Sequence, residues 1–368
     1  MLTVAAVVDY LDQFAPKHLA ASWDNVGLLL GDRATAVTRI MTCLTVTPAS
    51  AAEAIAEKAN LIVTHHPVLF RPVQRLTTDT AEGRMLLALI QAGVAVYSPH
   101  TAFDNTRDGI NDLLAARLGL RDVTPLRTMA DRPQVKLAVF VPDADLTKVS
   151  DAMFAAGAGH IGQYRECSFR LVGTGTFFGG DETNPTVGQK GKREEVSEWR
   201  LEVICPENRV ESVIAAMRKA HSYEEPAYDV YVMRTGPSSW GDGRLGRLAQ
   251  PTPLAAFAQA LKSQLHCPAL QLVGDPRRPV EKVAIVCGAG GELLKDAIRA
   301  RADVFLTGEA RFHDYLAAQA EGLALLLPGH YATERLGVED LATRLQRQWA
   351  DVQVWASRQE RDPVSWLG

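Results

Sequence analysis

Apolar residues recur along this chain with two different periods, and the alternation between them outlines the fold. Val4, Val7, Val8, Leu11 and Phe14 stand at helical spacing and stop at Pro16, which predicts a helix over 4–14. Short runs rich in branched residues at 40–46 and 61–64 read as buried strands, with a helix between them at 49–59. A further helix at 83–92 leads to a strand at 94–98. A β-α-β-α-β order of this kind predicts a parallel sheet with helices on its faces.

The last third repeats the grammar. Helices are predicted at 253–264, 291–301, 311–320 and 332–347, alternating with strands at 269–273, 282–287, 304–307, 323–327 and 352–356. The middle differs: strands at 135–141, 170–178, 198–205 and 228–233, with helices at 146–156 and 209–220, give the β-α-β-β-α-β pattern of a ferredoxin-like unit. Thr124-Pro125 and Asp131-Arg132-Pro133 mark one edge of this region, and Thr235-Gly236-Pro237-Ser238-Ser239 marks the other. The expected architecture is an α/β domain in two parts, 1–127 and 239–368, interrupted by an inserted ferredoxin-like α+β domain over 128–238.

Composition narrows the class. At 368 residues the chain exceeds what one core usually supports, and 47% hydrophobic with 22% charged residues describes a folded globular protein. A net charge of -4 argues against a nucleic-acid partner, and the one basic stretch, Lys190-Gly191-Lys192-Arg193, reads as a solvated loop. The five cysteines are scattered without a Cys-x-x-Cys pair, as expected of reduced thiols in the cytoplasm. No basic residue precedes Lys17, and Asp9 and Asp12 break the apolar stretch a signal peptide would need. No apolar run approaches the ~20 residues of a membrane span. A soluble, cytoplasmic protein without a membrane partner is expected.

Three segments carry the candidate chemistry. Leu61-Ile-Val-Thr-His65-His66-Pro67 delivers adjacent histidines at the end of a predicted strand, where open parallel sheets build their sites. Neighbouring strand residues point to opposite faces, so both rings reach one site only if the chain turns there or two metals share them. After the next strand come His100, Thr101 and Asp104, a carboxylate beside the histidines; alone, Asp104 reads equally well as a turn or capping residue before a helix at 109–118. His330 and Glu334 stand four apart at a helix start and face one way, a spacing that also suits an ordinary surface pair. Together, His65, His66, Asp104, His330 and Glu334 offer three imidazoles and two carboxylates able to bridge, which suits two divalent ions of the Zn, Mn, Fe, Co or Ni type.

Glu309 and His313, again four apart after a strand, are candidate catalytic or substrate-contacting groups, with a capped helix start as the plain alternative. Asp24 and Asn25 either line a pocket or belong to a loop entering a strand. Gly288-Ala-Gly290-Gly291 reads as a tight strand-to-helix turn, because Leu293 stands where a dinucleotide fingerprint needs its third glycine. His221, Glu224 and Glu225 in the middle region read as a contact surface, not a second metal site.

Trp23-Asp-Asn-Val-Gly-Leu, Thr64-His65-His66-Pro67, His100-Thr-Ala-Phe-Asp104-Asn105, Thr307-Gly-Glu and Gly329-His330-Tyr-Ala-Thr-Glu334 together resemble the Nif-three-like dinuclear metal family. Its members are commonly named as homologues of a type 2 GTP cyclohydrolase I. The middle region resembles the PII/CutA-like insert of longer members through the Gly157–Tyr164 stretch, Cys167-Ser-Phe, Gly173-Thr-Gly-Thr-Phe177 and His221-Ser-Tyr-Glu-Glu-Pro. The resemblance implies two metals on His65, His66, Asp104, His330 and Glu334, and a ring-shaped homohexamer with its metal sites facing an internal cavity. Two departures stand out: Thr45 where the family commonly carries Asp, and Ser222 where the insert usually has Pro. Neither is expected to touch a proposed ligand. The functional expectation is a metal-dependent hydrolase acting on a small molecule or nucleotide. The alternative is a non-catalytic metallochaperone, metal-responsive regulator or hexameric scaffold. An open coordination position beside a substrate-sized pocket distinguishes the first from the second.

Overall fold

The computed structural model of the chain describes residues 1–129, 134–162, 164–233 and 239–366. Two predicted edge markers, Asp131-Arg132-Pro133 and Thr235-Gly236-Pro237-Ser238, and Gln163 of the 157–164 motif, lie outside the described residues. The chain divides into one unit of Met1–Met129 with Ser239–Gly368 and a second of Ala130–Ser238.

The first unit opens with α1 (Val4–Phe14), whose start is capped by Thr3, then β1 (Gly27–Leu30), β2 (Arg39–Cys43), α2 (Pro48–Ala56) and β3 (Leu61–Thr64). Thr47 and Ser50 cap α2 reciprocally, with Pro48 fitting the first turn, where no amide hydrogen is needed. α3 (Ala81–Gln91), β4 (Ala95–Ser98), α4 (His100–Asn105), α5 (Ile110–Arg117) and β5 (Arg121–Thr128) follow.

In the second unit, β6 (Gln134–Val141), α6 (Leu146–Ala155), β7 (Ser168–Phe178), β8 (Arg193–Pro206), α7 (Val210–Ala220) and β9 (Tyr228–Val232) form an antiparallel sheet in the order β7-β8-β6-β9. That is the ferredoxin-like topology the alternation predicts. Its core alternates along β6 and β8: Val135, Leu137, Val139 and Val141, with Leu201, Val203 and Cys205, meet Val149, Met153, Val213 and Met217 of the two helices.

The first unit resumes with β10 (Gly241–Pro253), α8 (Leu254–Leu265), β11 (Gln271–Val273), β12 (Pro279–Val286), α9 (Leu294–Arg299), β13 (Val304–Thr307), α10 (Phe312–Ala320), β14 (Ala324–Leu327), α11 (His330–Gln348) and β15 (Gln353–Ala356). Its described strands form two sheets. One has the order β1-β4-β3-β2-β15, parallel except for β1, and the other β11-β14-β13-β12-β10-β5, parallel through β12, β13 and β14.

Strand alternation shows how the layers stack. Leu61 and Val63 of one sheet share a core with Val283, Ile285, Val304 and Leu306 of the other, filled by residues of α1, α5, α8 and α11. Ile62 faces the opposite way, toward the cluster that includes residues of α2 and α3, and Phe305 faces residues of α9 and α10. The unit is therefore a five-layer α-β-α-β-α stack, with both sheets buried on both faces as their continuous apolar strands require.

The sequence pattern does not reveal β5 and β10. β5 is an edge strand, largely exposed and carrying Pro125, and β10 starts in Gly-Asp-Gly, so neither shows apolar alternation. They pair antiparallel with Thr128 opposite Gly241, which brings together the two points where the second unit leaves and rejoins this one. No described helix is long and apolar enough to cross a membrane.

Candidate metal centre

The C-terminal ends of the parallel strands of both sheets converge on one spot. His65 and His66 follow β3, His100 and Asp104 lie on α4 just after β4, and Cys287 and Gly288 follow β12. Glu309 follows β13, while His330 and Glu334 occupy the first turn of α11 after β14. Hydroxyls lock these ends. Thr64 donates to the carbonyls of Leu44 and His66, Ser98 donates to the carbonyl of His65, and Thr307 donates to that of Gly288. The strand stops at Thr64, so His65 and His66 sit in a bend, and their rings come to 5.0 Å between centroids instead of pointing apart.

Backbone room for this convergence comes from glycine. Gly288 has φ +59°, and a Cβ there would stand 2.1 Å from Glu334 Oε1. Gly308 passes so close to α11 that a Cβ would meet the His330 Cα at 2.8 Å.

The five predicted ligands are brought together. His66 Nε2 and His330 Nε2 are 3.3 Å apart, and each approaches Glu334 Oε2, at 3.1 and 3.0 Å. His65 Nε2 lies 3.6 Å from Glu334 Oε1 and 3.7 Å from Asp104 Oδ1. His65 is fully buried, Glu334 is 3% exposed, and neither ring nitrogen of His65 nor Oε2 of Glu334 has a hydrogen-bond partner. Buried polar atoms are rarely left so, because desolvation without compensation is costly. A divalent cation is the natural complement of this donor set, and the residues present fit one.

Protons show the same pull. Burial works against a charged His330, but Glu334 and Glu309 outweigh it and push its pKa up to about 9. Burial and the neighbouring Glu334 charge push Asp104 up to about 7. Burial would raise Glu334 too, yet His65, His330 and His66 hold it well below the usual carboxylate range. Burial raises the Cys287 thiol, which stays protonated and donates to Asp104 Oδ1 at 3.3 Å. Asn111 spans the same corner, accepting from the Cys287 amide and donating to the Asp104 carbonyl.

Two residues enter that the ligand reading passed over. His100 joins His65 and His66 with ring nitrogens within 4.8 Å of one another, the same closeness found among His66, His330 and Glu334. Its Nδ1 is held at 2.7 Å by Asp24, whose buried carboxylate also accepts from the Thr101 hydroxyl and amide. His100 carries φ +30°, a strained value for a non-glycine residue. The available signal was its spacing: His100 precedes Asp104 by four, as His330 precedes Glu334. Nothing in the sequence ties Asp24 to His100.

One expectation fails. Thr45 does touch a proposed ligand: its Oγ1 is 2.7 Å from His66 Nδ1, because the turn after β2 runs beside the turn after β3. Of the two candidate catalytic groups, Glu309 reaches His330 Nδ1 at 3.2 Å, whereas His313 is exposed on α10 with its ring beside Phe312 and is not brought into the cluster. Within the second unit, His221 is buried, with Nε2 at 3.0 Å from the Phe140 carbonyl and Nδ1 accepting from the Tyr223 amide. Ser222 donates its amide to Asp145.

Two cavities open onto the cluster, and His66 and His330 line both. One, of about 600 Å³, is walled by Thr45, Gln271, Glu309, Tyr315, Tyr331 and Trp366. The other, of about 420 Å³, is walled by Trp23, Phe70, His100, Asp104, Asp242 and Glu292.

Known proteins are similar to this chain along nearly their whole length. Proteins named "GTP cyclohydrolase 1 type 2 homolog" from Halalkalibacterium halodurans and Bacillus subtilis are 38% and 36% identical to the chain, each covering 98% of both partners. The crystal structure of a Bacillus cereus protein related to NIF3 superposes with a TM-score of 0.79 at 34% identity, covering 100% of this chain and 99% of that one. A Staphylococcus aureus protein superposes with a TM-score of 0.83 at 27% identity over the same shares. The sequence profile of the Duf34/NIF3 (NGG1p interacting factor 3) family matches residues 2–363, and the chain belongs to that family.

Proposed function

We propose that this protein binds two divalent cations through His65, His66, Asp104, His330 and Glu334 and uses them for hydrolysis of a small molecule. One observation carries the reading: the facing His66 and His330 nitrogens, 3.3 Å apart, converge with Glu334 beside the orphaned nitrogens of buried His65. With Nδ1 of His66 directed at Thr45 and Nδ1 of His330 at Glu309, both Nε2 atoms face the same point, where a cation would take both as donors in place of their protons. Bound divalent ions of this kind supply an acidified water and a polarised electrophile.

The chain's own groups would then divide the work. Glu334, between His66 and His330 on one side and His65 on the other, would offer one carboxylate oxygen to each side. Asp104 supplies charge on the His65 side, kept in place by Cys287 and Asn111. Glu309, exposed at the mouth of the 600 Å³ cavity, can hold or pass a proton at His330 Nδ1. The cavities favour an enzyme over a storage or scaffold role, since storage has no use for a substrate-sized space beside the centre.

The names of the relatives make GTP the first nucleotide to try. The same reading includes a cytoplasmic homohexamer. The test is element-resolved metal analysis of the purified protein, followed by turnover assays on GTP and a panel of nucleotides and phosphoesters. Metal-dependent turnover that disappears in His66→Ala and Glu334→Ala is expected. Metal binding without turnover across the panel would leave a binding protein, and no metal at all would overturn the reading.

A further inference from the structure

Three imidazoles of the cluster, those of His330, His100 and His66, are held from behind by chemically different groups. His330 Nδ1 faces the Glu309 carboxylate at 3.2 Å, and His100 Nδ1 faces the Asp24 carboxylate at 2.7 Å. His66 Nδ1 faces only a neutral hydroxyl, that of Thr45, at 2.7 Å. An outer carboxylate fixes the tautomer of a ligating imidazole and raises its basicity; a hydroxyl that accepts the Nδ1 proton fixes the tautomer alone.

The Thr45 contact is built into the backbone. The amides of Leu44 and Thr45 donate to the two oxygens of Glu360, at 2.9 and 2.7 Å, and the Thr45 carbonyl accepts from Ser50 at 3.1 Å. Glu360 is itself buried and bound by Arg335, which also holds the Ser357 carbonyl. Thr45 is therefore pinned on both sides of its Cα, with its hydroxyl directed at one ring nitrogen.

We propose that Thr45 is a positioning residue. It holds the His66 ring with Nε2 turned into the cluster, and it leaves His66 a weaker ligand than His330 because its partner carries no charge. The inference rests on the cluster being a divalent-cation centre, and it concerns how strongly one side of that centre grips.

The full-length protein is stripped with a chelator and titrated with Zn²⁺ against a competing indicator, and separately with Co²⁺ while its visible spectrum is followed. Thr45→Ser, which keeps the hydroxyl, is expected to match the wild type in affinity and in Co²⁺ spectrum. Thr45→Val, which leaves Nδ1 without an acceptor, is expected to bind about 10–100-fold more weakly with an altered Co²⁺ spectrum. Thr45→Asp is expected to bind about tenfold or more tightly. If Val fails to fold, the Ser and Asp variants decide. Wild-type affinity and spectrum in the folded Val variant, or wild-type affinity in the Asp variant, overturns the role of Thr45. A wild type that binds neither metal better than His66→Ala overturns instead the metal reading on which the proposal stands.

Discussion

Gly288 shows how narrow the tolerances of the centre are. Its left-handed backbone turns the chain after β12, and its missing side chain leaves the space that Glu334 Oε1 fills. Gly288→Ala adds about 1–2 kcal/mol of backbone strain. Its Cβ would also collide with a carboxylate that has no room to retreat, because Glu334 is buried among three histidines. The expected result is a modest loss in denaturant midpoint with a disproportionate loss of bound metal. Full metal content in a folded Gly288→Ala protein would show that Glu334 is not fixed as described. The residue scale is also where the pattern misled most: Thr45 was expected from sequence to touch no ligand and is a direct contact of His66 in space.

Among the elements, β10 and α5 are joined by an ion pair whose arginine is buried and whose aspartate is partly exposed. Arg244, 1% exposed, grips both oxygens of Asp112 at 2.5 and 2.9 Å and donates to the carbonyls of Gly241, Gly243 and Thr106. Removing one partner of such a pair strands the other, so Arg244→Met is expected to cost about 3–5 kcal/mol, read from chemical denaturation. Metal content should fall as well, because Asp112 neighbours Asn111, which holds Asp104 and Cys287 in place. A second junction ties the segment after β15 to α2: Glu53 accepts from the Ser357 hydroxyl, the Trp355 indole and the Arg358 and Gln359 amides.

Burial alone would raise the Glu53 pKa, but these donors outweigh it and hold the group below its unfolded value of 4.5. A depressed carboxylate contributes stability that is complete above the unfolded value and is lost as pH falls through the folded one. Glu53 is half-buried, so a discounted contribution of about 1 kcal/mol is appropriate. Glu53→Gln should therefore be less stable than wild type at neutral pH by that amount, and the gap should close in acid below pH 4.5. A gap independent of pH would assign the effect to shape instead of charge.

For the whole molecule, the pairing of β5 with β10 makes a prediction about the insert. Thr128 and Gly241 are opposite each other in the sheet, so a short Gly-Ser turn can replace residues 130–238 without stretching either strand. The shortened protein is expected to fold cooperatively and to bind metal as the full-length chain does, since every proposed ligand lies in the first unit. An insoluble or metal-free product would mean that the first unit depends on the second to fold.

What the chain specifies locally could be read directly. The buried strands at 61–64 and 304–307, the amphipathic helix over 4–14 and the β-α-β-β-α-β order of the middle region follow from periodicity, because each buries an apolar face whose spacing is written in consecutive residues. The strand-end positions of His65, His66 and His330 were legible for the same reason. Other features depended on separations of tens to hundreds of residues: the sorting of the strands between two sheets, β15 completing the first sheet from the far end of the chain, and His100 held by Asp24. The hydroxyl behind His66 was equally hidden. A strand announces its own faces through its alternation, but which strand lies beside it, and so which side chain stands behind a given imidazole, is settled only when the layers close on a shared core.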